Sequence, residues 1–297
     1  MTHNNHGSQP DHEDFGGLTR DLPFLLNRRD AMKWLGGASL GALLAACGID
    51  GRAVSTTGTP ATTPPVQTGV GSPVTPQQTS TTIASTTTGA PTPGVEIPDE
   101  SAGPFPADGS NGPNVLTDDG AIRADLTSSF GSLTGTAAGV PLNIEMTIVE
   151  AENGTALAGA VVYLWHCTAD GRYSVYEVTD QNYLRGAQET DSSGRITFTS
   201  IFPGCYRGRW PHAHFEVYES LDAVSSSANA IKTSQLALPE ADCQVVYQDD
   251  RYIGSANNLS QLSLASDNVF RDGWSEQLAT ISSRADGGIV ASLLVRV

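Results

Sequence analysis

Five short segments are apolar or alternate apolar with polar residues: Leu142 to Glu150, Ala160 to Cys167, Arg195 to Ile201, His212 to Glu219 and Gly288 to Val297. They are punctuated by Asn153-Gly154, Asp170-Gly171 and Ser193-Gly194. A period of two over that length belongs to a strand with one face against a core, and such glycine pairs suit a reversing backbone that needs a positive φ. The pattern predicts an all-β fold, an antiparallel β-sandwich core with long loops. Helix is sparse. Pro239, at a first helical position, precedes Glu240-Ala-Asp-Cys-Gln-Val-Val-Tyr247, and Ser255 to Ala265 offers a second short candidate.

Upstream of these strands the composition changes twice. Residues 47–95 are dominated by Thr, Ser, Pro and Gly with almost no charge. Such a segment cannot bury enough surface to offset its ordering entropy and is expected to be a disordered linker. Before it, Arg28-Arg29-Asp-Ala-Met-Lys33 leads into an apolar stretch from Trp34 to Ala46 that closes on Leu44-Ala-Ala-Cys47. That stretch is too short to span a bilayer as a stable helix. Its layout resembles a twin-arginine export signal ending in a bacterial lipoprotein cleavage box, which implies lipidation at Cys47. Residues 1–46 are therefore expected to be a signal peptide and 96–297 the folded domain. The expected location is the cell envelope, facing periplasm or exterior, with membrane contact only through the lipid anchor. A plain signal peptide or a buried helix is the competing reading.

The chemistry concentrates in Phe202-Pro-Gly-Cys-Tyr-Arg-Gly-Arg-Trp-Pro-His-Ala-His-Phe-Glu-Val217. His212 and His214 are two apart on a strand, so they project from one face and can reach one metal ion. Tyr206 follows a Pro-Gly turn that can swing its phenol over them. A second tyrosine, Tyr173, comes after the Asp170-Gly171 turn and Arg172. Two phenols and two imidazoles suit iron(III), because phenolate oxygen stabilises the trivalent state, whereas soft ions favour thiolate. His-x-His alone is also what any half-exposed strand face shows, and tyrosines beside turns are commonly packed rings with a bonded hydroxyl.

The order G-R-Y, then P-G-x-Y, then R-x-x-H-x-H, together with Glu100-Ser-Ala-Gly-Pro-Phe-Pro106, resembles the intradiol ring-cleaving dioxygenases, the protocatechuate 3,4-dioxygenase and catechol 1,2-dioxygenase superfamily. The resemblance runs from about Glu96 to Val297. It implies non-haem iron(III) held by Tyr173 and His214 as equatorial ligands and by Tyr206 and His212 as axial ones. It implies a catecholic substrate and O2, with ring opening between the hydroxylated carbons to a muconate-type diacid that keeps both oxygen atoms. In that scheme the substrate displaces Tyr206, whose phenolate then acts as a base, and Arg209, in preference to Arg207, stabilises carbanion-like charge on the ring.

The formal net charge of −16 makes nucleic acid an unsuitable partner and weakly favours neutral catechols over carboxylated ones. Beyond Cys47, three cysteines remain: Cys167, Cys205 and Cys243. The expected bridge is Cys205 to Cys243, with Cys167 a buried strand-end thiol. Specificity is expected from loops such as Gly103 to Val115 and Tyr176 to Arg185. Two alternatives stand beside the dioxygenase reading: a non-catalytic β-sandwich lipoprotein that binds carbohydrate or an aromatic ligand, and copper or zinc held by His212 and His214 alone. The substrate's identity and the oligomeric state stay open.

Overall fold

Alternation along the first long strand shows how the sequence builds the sandwich. In β1 (Pro141–Val149), Leu142, Ile144, Met146 and Ile148 are buried, while Pro141 before them and Glu145 among them are exposed. The computed structural model describes residues 93–284 and 288–297. The expected signal peptide, Cys47 and nearly all of the expected linker lie outside the described residues.

Among the described residues, eight strands form two sheets of four. One runs β4 (Arg195–Ile201), β1, β8 (Ile289–Arg296), β7 (Thr280–Ser283), and the other β3 (Arg185–Glu189), β2 (Val161–Trp165), β5 (His212–Tyr218), β6 (Lys232–Ala237). The inward faces meet in a core that includes Ile144, Phe198 and Leu293 from the first sheet and Val162, Leu164, Phe215 and Val217 from the second. Burying a side chain such as Phe215 or Leu164 contributes about 1.5–3 kcal/mol each, and this interlayer is what makes the scaffold rigid. Among the described residues there are two short α-helices, α1 (Glu240–Val246) and α2 (Ser255–Leu259). Pro239 takes the extended N-cap position of α1 rather than its first turn, one residue from the expectation.

One pairing departs from a purely antiparallel sandwich: β8 lies parallel to β1, with Leu142 opposite Ile289. A parallel neighbour cannot be reached by a hairpin, and β8 arrives only after every other strand has been laid down, so it joins β1 without a tight turn.

The second sheet is unusual in being covered on both faces. Every residue of β2 and β5 is buried. The outward positions Val161, Tyr163, Trp165 and Tyr218 pack with Ala107, Val115, Leu116, Phe130 and Tyr173, which come from loops rather than from another sheet. A loop-covered face has room for polar side chains, because irregular backbone supplies donors and acceptors that a sheet ladder has already spent.

Candidate metal centre

His212 and His214 stand on the outward face of β5, and their Nε2 atoms approach to 3.1 Å. The inward neighbours Ala213 and Phe215 belong to the interlayer core. Strand register fixes the flanks of His214, with Trp165 of β2 on one side and Gln235 of β6 on the other. The Trp165 ring stacks on the His214 ring at 5.0 Å and 3°. Above it, Gly103 has φ +72, and a Cβ there would lie 3.1 Å from His214 Cε1, so the loop backbone seals this edge with no room for a side chain.

The two tyrosines arrive on loops. Tyr173 follows the Gly171 turn, where φ is +83, and its backbone N–H donates to Glu177 Oε2 at 2.9 Å. Tyr206 rides the strap between β4 and β5. Gly204 lets that strap press against the β2 end, because a Cβ there would sit 2.4 Å from the Ala169 carbonyl oxygen and 2.8 Å from that of Thr168. The result is convergence: Tyr206 Oη lies 3.3 Å from His212 Nε2, and Tyr173 Oη lies 3.5 Å from both His212 Nε2 and Tyr206 Oη. Tyr173 is buried, whereas Tyr206 is half-buried.

The donor set fits one hard metal ion. Ligands about 2 Å from a common centre lie roughly 3 Å from one another, close to the separations of His212 Nε2 from the other three atoms. His212 Nδ1 faces the Trp210 carbonyl and must donate to it, so in the neutral ring Nε2 turns a lone pair toward the other three donors. Burial, with the Arg209 charge adding to it, holds His212 well below the ordinary imidazole range. For His214 burial again comes first, followed by His212 and Arg209. Both rings are therefore neutral, as ligation requires. Among the described residues no three His, Cys, Asp or Glu side chains group as a metal site, so a centre here depends on the two phenol oxygens.

Arg209 is buried and Arg207 is exposed. Arg209 Nε donates to Asp267 Oδ2 at 3.1 Å and Nη2 to Gln235 Oε1 at 2.7 Å, while Gln235 Nε2 donates to the Ser101 carbonyl at 2.8 Å. Phe105 packs on Tyr173 at 5.2 Å and on Tyr176 at 4.9 Å, which brings both loops expected to shape specificity to the ligand-bearing side. Behind them, the buried Arg185 donates to the Phe105 and Pro106 carbonyls and to Ser174, the residue after Tyr173. Sequence reasoning did not single out Gln235, Asp267, Trp165 or Arg185. Gln235 and Arg185 sit on strands with no apolar alternation, and Asp267 is distant in sequence, so no signal pointed to them.

The expected Cys205–Cys243 bridge is corrected: Cys167, Cys205 and Cys243 are free, buried thiols. The Cys205 sulfur turns to the Arg209 carbonyl at 3.6 Å instead of to a sulfur partner. Burial pushes the Cys205 thiol up to about 12 and raises the other two, so none presents a thiolate.

Comparison with known proteins points the same way. Residues 111–232 match the family model described as a dioxygenase, a span that contains both histidines, both tyrosines and Arg209. A chlorocatechol 1,2-dioxygenase from Rhodococcus opacus is 36% identical over an alignment covering 29% of this chain and 47% of that protein. One from Pseudomonas putida is 40% identical over 23% of this chain and 26% of its own length. The chain thus spans about half the length, or less, of the curated relatives it matches. The intradiol ring-cleavage dioxygenase of Tetranychus urticae superposes with a TM-score of 0.52 at 21% identity, over 68% of this chain and 94% of that one, which shows a shared fold.

Proposed function

We propose, from a chain that resembles the intradiol ring-cleavage dioxygenases in sequence and in fold, that this domain is an iron(III) enzyme of that kind. Tyr173, Tyr206, His212 and His214 would hold the iron. A catecholic aromatic would be opened between its two hydroxylated carbons with O2, giving a muconate-type diacid. The observation that carries the reading is the meeting of those four side-chain donors, linked by contacts of 3.1 to 3.5 Å that all but one run through His212 Nε2, inside the segment that matches the family.

Ferric iron, when bound, supplies Lewis acidity toward the catechol and the electron-transfer capacity that reaction with O2 needs. The chain supplies the rest. Tyr206 is the more exposed of the two phenols and so the one free to move aside and take a proton from a catechol hydroxyl at its Oη. Arg209 offers a fixed guanidinium to anionic charge growing on the ring, in a site where burial makes such a charge count for more than in water. The Gly103 loop keeps water from the His214 edge, and Phe105 and Tyr176 offer aromatic walls to a flat substrate. An acidic chain suits a catechol without a carboxylate, and two relatives have chlorocatechol in their names.

We further place the domain outside the cytoplasm, tethered through Cys47. Arg28-Arg29 and Leu44-Ala-Ala-Cys47 support this reading. The test of function is oxygen uptake by the iron-loaded domain with catechol. Equimolar loss of O2 and catechol with a colourless diacid product is expected, and His214→Ala should lower turnover more than about 100-fold. A yellow semialdehyde product, from cleavage beside the hydroxylated carbons, would refute the intradiol assignment.

A further inference from the structure

Asp267 has no exposed surface, yet it belongs to no strand and lies outside the segment that matches the dioxygenase family. Its two oxygens divide their work. Oδ1 accepts from the backbone N–H groups of Val269 at 2.8 Å and Phe270 at 3.2 Å, which steadies the short turn that follows. Oδ2 accepts from Arg209 Nε at 3.1 Å and from the Trp210 backbone N–H at 2.7 Å. The carbonyl of that same Trp210 receives the Nδ1 proton of His212.

One buried carboxylate oxygen therefore holds both the guanidinium and the residue whose carbonyl sets the His212 tautomer. A carboxylate serving only as a turn cap would need Oδ1 alone. A cation with two buried anchors, Asp267 at Nε and Gln235 at Nη2, has its plane fixed, which a flexible guanidinium would not.

We propose that Asp267 is a positioning residue for the reaction: it orients Arg209 toward the four-donor cluster and, through Trp210, aims the His212 lone pair into it. The proposal rests on the dioxygenase reading. It extends that reading to a residue that touches neither the donor cluster nor the reacting atoms.

The experiment is a double-mutant cycle on the iron-loaded domain. Asp267→Asn keeps the shape but sets an NH2 group against N–H donors at one oxygen or the other. It should lower kcat with catechol about 10- to 100-fold, with KM and iron content within about 2-fold. In an Arg209→Gln background the same change should cost no more than about 3-fold, since the guanidinium, the larger of its two targets, is already gone and only the hold on the Trp210 N–H remains to be lost. Asp267→Ser, whose hydroxyl can still cap the turn, should follow the same pattern and guards against a variant that fails to fold. A second readout needs neither iron nor turnover. In the metal-free protein the Arg209 Nε–H resonance, assigned by its loss in Arg209→Gln, should be protected from exchange in the parent and unprotected in Asp267→Asn. Equal kcat losses in both backgrounds, no loss in the parent background, or an Arg209 signal unchanged by Asp267→Asn would overturn the positioning role while the dioxygenase reading stands. A parent that is inactive but has a protected Arg209 signal would sink the dioxygenase reading and reduce Asp267 to a structural cap.

Discussion

The two faces of the β3-β2-β5-β6 sheet share a backbone and differ in what covers them. The inward face meets a second sheet, and its positions Val162, Leu164, Ala213, Phe215 and Val217 are apolar, as contact with another sheet demands. The outward face meets loops, and the same strands there carry His212, His214, Glu216 and Tyr218 from β5 beside Tyr163 and Trp165 from β2, all buried. Burial alone therefore does not separate core from site. A covering sheet offers only side chains, whereas covering loops bring carbonyls, N–H groups and the phenols of Tyr173 and Tyr206, so polar groups can be buried and still be bonded.

Neighbouring residues on β5 test that contrast most sharply. Phe215→Ala should destabilise the domain by about 3–5 kcal/mol, read as a fall in melting temperature, while leaving iron binding intact below the transition. His214→Ala, one position away, should cost the metal-free protein only about 1 kcal/mol yet abolish stable iron binding. Equal melting losses in the two variants would mean the faces are not distinct. Next in size is Gly204→Ala, whose Cβ would press on the Ala169 and Thr168 carbonyls. Moving that strap should cost about 1–3 kcal/mol and loosen iron retention through Tyr206, and full retention would show that the strap tolerates displacement.

A smaller effect comes from pH. Burial, then the charge of Asp272, raises the Glu100 carboxyl from 4.5 to about 8. Between those values the folded protein keeps a proton that the unfolded chain has released, so stability from this group falls as pH rises from about 4.5 through 8. Glu100→Gln should match the parent in melting temperature near pH 5 and exceed it above pH 8, and parallel curves would contradict this. Smallest is Val175→Gly. Val175 holds a φ of +73, a strained value for a β-branched residue, two positions after Tyr173. Relief of that strain should gain up to about 1 kcal/mol, and a loss of iron affinity in the same variant would show that the strain serves the site.

What the sequence revealed follows the same division. β1, β2, β4, β5 and β8 were legible because one face of each is apolar. β3, β6 and β7 were not: Arg185-Gly-Ala-Gln-Glu189 and Lys232-Thr-Ser-Gln-Leu-Ala237 bury Arg185, Lys232, Ser234 and Gln235, so no hydrophobic period survives, and Thr280-Ile-Ser-Ser283 is too short and polar to show one. The donors Tyr173, Tyr206, His212 and His214 were legible as residue types at suggestive spacings and through a family resemblance. Their supports were not, since Asp267 and Gln235 reach Arg209 only through tertiary contacts. The disulfide expectation failed for a related reason: cysteine spacing says nothing about which way a sulfur points.

The central claim is that four side chains from one strand and two loops hold a ferric ion that a catechol can approach. Its most direct test is the visible absorption spectrum of the purified domain with its iron content, before and after catechol is added without oxygen. The account predicts a broad red-brown band from phenolate-bound iron(III) that shifts when catechol is added and is absent from Tyr206→Phe/Tyr173→Phe. A protein that stays colourless after reconstitution with iron would contradict it.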